Sequence, residues 1–265
     1  MEDRAGVAYA TILVADEGAV RTITLNRPER RNALTSEMQL ELIAAMEAAA
    51  AGNCRVLVLR GAGKGFCSGL DLTVLQGMAD QGATAQNVEA ERIARLFRTL
   101  YELPKPTIAA VYGAAIGGGA GLATVCDFTL ATPTAKFAYP EARIGFVPAV
   151  VSAFLQLQLG DKRSRDLLLT GRLFDAAEAY RLGLVNELVD AEKMPARVAE
   201  LAETLMESSP RSLATTKRLM AAQNRKWLDA AIAAAMDASA DARRTDDLRE
   251  GVAAFLEKRK PVWTE

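Results

Sequence analysis

The sequence predicts an α/β region followed by an all-helical segment, and three observations carry that reading. Up to about residue 190, short runs of strand length interleave with segments of helical period. From about residue 191 the composition changes to long stretches rich in Ala, Leu, Glu and Arg, as in packed helices. Half of the 265 residues are hydrophobic, enough for a sizeable core without disulfide or metal staples.

The elements follow in order. Residues 9–14 and 20–25 alternate apolar and polar side chains around Asp16-Glu17-Gly18, which reads as a hairpin. Residues 35–50 have helical period, with Thr35 or Ser36 as the N-cap. Residues 55–59 form a short buried strand. Residues 72–84 are loop-like and polar, and a mobile connection is expected there. Residues 88–101 read as a helix stopped by Pro104 and Pro106. A strand at 107–111, a buried helix at 118–125 and a strand at 128–131 come next. Helices are expected at 149–159, 164–170 and 176–182, then near 191–207, 210–237 and 241–259.

Composition excludes several functions. The formal net charge is −1 with mixed signs along the chain, which argues against nucleic acid or an acidic membrane surface as a partner. There is no histidine, so Ser-His-Asp and Cys-His catalysis and most zinc sites are ruled out. The three cysteines, Cys54, Cys67 and Cys126, lack metal or redox spacing and read as buried thiols in a reducing compartment. No apolar run reaches the length of a membrane span. The start, Met1-Glu2-Asp3-Arg4, lacks a signal-peptide pattern, so a cytoplasmic location is expected.

The chemistry is concentrated in two glycine segments and one glutamate: Phe66-Cys67-Ser68-Gly69-Leu70-Asp71-Leu72, Ile116-Gly117-Gly118-Gly119-Ala120-Gly121, and Glu141 in Ala138-Tyr139-Pro140-Glu141. Glycine lets backbone N–H groups approach a ligand. Two such groups converging on one carbonyl oxygen make an oxyanion hole, and a nearby carboxylate supplies acid–base chemistry. Neither glycine segment completes a dinucleotide fingerprint. Gly61-Ala62-Gly63-Lys64-Gly65 is not a phosphate-binding loop, and Ser68 is out of register for a nucleophile elbow.

These segments, with Asn26-Arg27-Pro28, Asn32-Ala33-Leu34, Cys126-Asp127, Leu169-Thr170-Gly171 and the run from Ala179 to Val185, resemble the crotonase superfamily, the enoyl-CoA hydratase/isomerase family. The resemblance covers most of the chain. It implies a ClpP/crotonase-like spiral of ββα units over residues 1–190, carrying an acyl-CoA site. It also implies a C-terminal helical subdomain over 191–265 that builds a homotrimer or a dimer of trimers.

The resemblance places the oxyanion donors at the N–H groups of Leu70 and Gly118 and the proton carrier at Glu141. Ser68, Gly69, Asp71, Gly117 and Gly121 would line the substrate. A basic residue at Arg30 or Arg31 would approach the CoA phosphates, with Phe255, Lys258 and Lys260 as C-terminal CoA contacts. No cofactor beyond the coenzyme A of the substrate is implied, and no metal.

Hydratases of the family carry a second glutamate where this chain has Gly121. Ala149 stands where dienoyl-CoA isomerases and a dehalogenase relative carry an acid, which argues against both chemistries. Asp71 and Asp127 sit in motifs that the family uses structurally. Gly121 pulls towards isomerase chemistry, while the overall resemblance leans towards an enoyl-CoA hydratase, which is the expectation. The alternatives are a single-glutamate isomerase moving a 3-enoyl double bond, and an acyl-CoA-binding scaffold without turnover.

Overall fold

A computed structural model describes residues 8–79 and 83–263. Strands β1 (Ile12–Glu17) and β2 (Val20–Leu25) pair antiparallel, and Gly18 turns the chain between them at φ 59°. The turn is two residues long, so Asp16 and Glu17 belong to the strand and not to the loop. Helix α1 (Ser36–Ala51) follows, and the Thr35 hydroxyl caps it by accepting from Met38 N at 3.2 Å. Strands β3 (Val56–Gly61), β4 (Thr107–Val111) and β6 (Phe128–Ala131) add in parallel to β2. The two-residue β9 (Glu187–Leu188) closes a six-stranded sheet in the order β1-β2-β3-β4-β6-β9. The parallel strands β3 and β4 are almost wholly apolar and buried, as sheets covered on both faces require.

A second sheet holds β5 (Ala114–Ile116), β7 (Lys136–Ala138) and β8 (Phe174–Asp175). Between these strands lie α4 (Gly118–Val125) and α5 (Ala149–Thr170), and α6 (Ala176–Leu182) follows β8. The two helices expected at 149–159 and 164–170 run on as one element, α5, broken in direction at Gly160, where φ is 73°.

The expected loop at 72–84 is corrected by the structure. Residues Leu72–Ala79 form a helix, α2, and α3 (Ala83–Glu102) begins well before Val88. Residues 80–82 of that expectation lie outside the described residues. The cause is tertiary: Leu75 is buried in a cluster with Phe146, Leu248 and Val252.

The last three helices are α7 (Met194–Glu207), α8 (Pro210–Ala242) and α9 (Asp246–Leu256). Helix α8 packs on α3 and α5, while α9 packs on α2 and on the short 3-10 turn Glu141–Ile144. The fold is thus the mixed α/β spiral with C-terminal helices that the sequence predicts.

Candidate active site

The first glycine segment is positioned by the two asparagine motifs upstream. Asn32 is buried at φ 54°, and its Nδ2 donates to the carbonyls of Ala62, Gly65 and Phe66 at 2.9 to 3.1 Å. Leu34 N donates to Gly69 O, and Asp71 N donates to Leu34 O. This one-residue parallel bridge consumes the groups on either side of Leu70 and leaves the Leu70 N–H without an acceptor among the described residues. Asp71 does not reach the substrate side. It accepts from Arg27 Nη1 at 3.0 Å and from Thr73. Burial pushes its carboxyl up, but those bonds outweigh burial and hold it below the ordinary value.

The second segment enters α4. Gly117 N donates to Ala138 O, and Gly117 itself (φ 54°, ψ −124°) caps the helix. Gly118 is the first helical residue, so its N–H has no partner within the helix. The two segments touch closely: a Cβ on Gly69 would lie 2.8 Å from Ile116 O and 3.4 Å from Gly118 N. Only glycine, here at φ 85°, allows that approach.

Glu141 opens the 3-10 turn after β7. Its carboxyl lies against Gly117, and Oε2 is buried with no hydrogen-bond partner. Burial pushes its pKa up to about 7, with its own backbone N–H working weakly the other way. The turn is held by close backbone packing from α9. A Cβ on Gly145 would strike Asp247 O at 2.2 Å, and one on Gly251 would strike Ile144 O at 2.3 Å.

Leu70, Gly118 and Glu141 line one cavity of about 570 Å³, the size of a small-molecule site. Ser68, Gly69, Gly117, Arg31 and Phe255 also line it, whereas Arg30, Lys258, Asp71 and Gly121 do not. Gly121 faces packed side chains: a Cβ there would lie 2.7 Å from Phe97 Cε1 and 2.8 Å from Val151 Cγ2. Phe97 and Val151 are cavity-wall residues, so apolar groups fill the space that a side chain at 121 would take.

Sequence reasoning did not find Phe97, nor the polar residues Gln39 and Ser239 that line the same cavity. Cys67 is a packed thiol, pushed up to about 12 by burial. Asp127 is tied to Thr107 and Lys217. No group of His, Cys, Asp and Glu suited to a metal occurs among the described residues.

Two unpaired N–H groups beside a buried carboxyl of near-neutral pKa can hold a developing oxyanion and move one proton beside it. Comparison with known proteins gives the same class. The chain belongs to the enoyl-CoA hydratase/isomerase family, whose sequence profile matches residues 15–265. A Thermus thermophilus relative, named provisionally as an enoyl-CoA hydratase, is 43% identical over 247 residues, covering 93% of this chain and 98% of its own. The 1,2-epoxyphenylacetyl-CoA isomerase of Escherichia coli is 35% identical over 256 residues, covering 96% and 98%. The crystal structure of an enoyl-CoA hydratase from Mycobacterium avium subsp. paratuberculosis superposes with a TM-score of 0.87 at 30% identity, covering 97% and 100%.

Proposed function

We propose that this protein hydrates 2-enoyl-CoA thioesters. The observation that carries the reading is the carboxyl of Glu141, buried, near-neutral in pKa and unpartnered at Oε2, in one cavity with Leu70 and Gly118. The thioester oxygen accepts from the Leu70 and Gly118 N–H groups. Glu141 takes a proton from water as the water oxygen bonds to C3, and the electron pair moves onto the thioester oxygen as an enolate. The protonated Glu141 then returns its proton to C2, so the net change is addition of H and OH. These steps draw on no metal or redox group, and the coenzyme A belongs to the substrate. Arg31 lines the cavity, which supports reading it as the cation that meets CoA phosphate.

A second reading is favoured by the packing at Gly121. With Phe97 and Val151 in that space, Glu141 is the only carboxyl among the described lining residues. A single carboxyl suffices to remove a proton from C2 of a 3-enoyl thioester and return it at C4. One assay separates the two. Hydration consumes the ultraviolet absorbance of a conjugated 2-enoyl thioester, and isomerisation of a 3-enoyl thioester creates it. Absence of both signals would overturn the proposal in favour of a non-catalytic scaffold.

The companion reading of the surface is a trimer or a dimer of trimers acting in the cytoplasm. Exposed apolar side chains on α8, Leu219 and Met220 among them, support assembly. Among the described residues no helix is long and apolar enough to cross a membrane. Light scattering that gives a monomer at micromolar concentration would refute the assembly.

A further inference from the structure

The cavity has a polar end that the chemistry at Glu141 does not use. Ala90, Ile93, Leu96 and Phe97 of α3 form one wall. Phe97 stands at the reaction end, against Gly121, one turn into α4. Glu89 is eight positions earlier on the same helix, about 12 Å away along its axis. There Gln39 Nε2 donates to Glu89 Oε1 at 2.8 Å, Ser36 Oγ donates to Glu89 Oε2 at 3.1 Å, and Arg92 is paired with the same carboxylate.

Glu89 only accepts, so its bond fixes the orientation of the Gln39 amide. Gln39 Oε1 is thereby left buried on the cavity wall with no hydrogen-bond partner. Ser239, on α8 and 4% exposed, lines the same cavity. Its Oγ accepts from Arg243 Nη1 at 2.6 Å, which leaves its own O–H to donate. Arg243 is fully buried over the ring of Phe146; its Nε and Nη2 are also without a hydrogen-bond partner among the described residues, but Arg243 does not line the cavity. Its guanidinium holds the Ser239 oxygen in place.

A buried acceptor with nothing to accept costs free energy unless a ligand supplies the donor. One group meets both needs: a hydroxyl, which donates to Gln39 Oε1 and accepts from Ser239. A plain methyl end satisfies neither, and a carboxylate offers Gln39 no donor. We propose that this end of the cavity recognises a hydroxyl carried on the acyl chain remote from the thioester, with Gln39 and Ser239 as its partners. The inference rests on the acyl-CoA reading of the cavity and narrows its substrate class.

The test uses saturated thioesters, which bind without reacting, so it is independent of turnover. Calorimetry compares acyl-CoA thioesters of about six to ten carbons, the reach implied by the helix spacing, with the same chains bearing a terminal hydroxyl. At the fitting length the hydroxylated thioester should bind the wild-type protein about tenfold tighter, the effect of two neutral hydrogen bonds. Gln39→Leu and Ser239→Ala should each remove most of that preference.

Equal or weaker binding of the hydroxylated chain at every length would overturn the hydroxyl site while leaving the acyl-CoA reading standing. Binding of neither thioester would overturn both. A preference that survives in both folded variants would also exclude these two residues. If either variant fails to fold, the wild-type comparison alone decides.

Discussion

Gly117 lies directly against the carboxyl of Glu141: a Cβ built on it would stand 2.8 Å from Oε1 and 3.5 Å from Cδ. The first glycine of the triplet therefore shapes the position of the carboxyl, while in the proposed mechanism the second offers its N–H to the substrate oxygen. Gly117→Ala should push the carboxyl aside and also strain a backbone held at φ 54°. A displacement of about 1 Å should lower kcat about a hundredfold, with a stability loss of about 1–3 kcal/mol. Steady-state kinetics beside a thermal melt checks both, and a folded variant with wild-type kcat would separate Gly117 from the proton step.

Gly118→Pro removes one oxyanion donor at the helix position where proline is best tolerated. The glycine before it can take the backbone that proline demands. Loss of the N–H should raise the barrier by about 2.7–4 kcal/mol while thioester binding persists. Single-turnover rates beside calorimetric Kd would show it, and an unchanged rate would remove Gly118 from the site.

In the proposed mechanism Glu141 sets the pH dependence. Burial raises its pKa from the ordinary 4.5 to about 7, and the base form does the work, so kcat/KM should fall as pH drops through about 7. The stability effect has a definite sign. The folded state holds this proton more tightly than the unfolded chain, so the contribution is fully present below 4.5 and is lost as pH rises through about 7. Glu141→Gln should abolish turnover and, between about pH 5 and pH 8, gain stability over the wild type by on the order of 3 kcal/mol. Denaturant titrations at both pH values would contradict this if the gap stayed constant.

Gly121→Glu alone should not create a hydratase-like pair of carboxyls. Its Cβ meets Phe97 and Val151 below 3 Å, which forces overpacking of about 1–3 kcal/mol. The double variant Gly121→Glu with Phe97→Ala opens that space, and hydration of a short 2-enoyl-CoA should then exceed that of Phe97→Ala alone. If the single variant melts at the wild-type temperature, the packing at Gly121 is looser than the geometry states.

Gly251→Ala tests the support from α9. Its Cβ would strike Ile144 backbone at 2.3 Å, so α9 must withdraw from the turn that begins at Glu141. A drop in kcat larger than the change in KM is expected, since the substrate pocket is retained while the carboxyl loses its support. A shift in KM alone would mean that α9 serves only binding.

Much of the candidate site was legible because the function proposed for it depends on backbone. Gly69, Gly117 and Gly118 are visible as glycines, and an unpaired N–H at a helix start follows from geometry alone. The hairpin and α1 were legible from alternation and from the Thr35 cap. Strands β5, β7, β8 and β9 were not, because two or three residues are too few to show a period. Helix α2 read as a loop because its burial is supplied by residues of α9 and by Phe146, far along the chain. Asp71 and Gly121 share motifs with lining residues, yet their environments turn them away: Asp71 toward Arg27, Gly121 toward Phe97. Gln39 carries no sequence signal, since a glutamine in an early helical turn looks solvated until Glu89 is seen to bind it.

The backbone contact between Gly251 and Ile144 bears on how the enzyme comes into being on the ribosome. The segment carrying Glu141 emerges well before the helix that fixes it. A nascent or prematurely terminated chain can therefore contain every reacting group and still lack a positioned carboxyl. Catalytic competence should then wait on finished synthesis, and a chain truncated before α9 should lose turnover by the same route as Gly251→Ala.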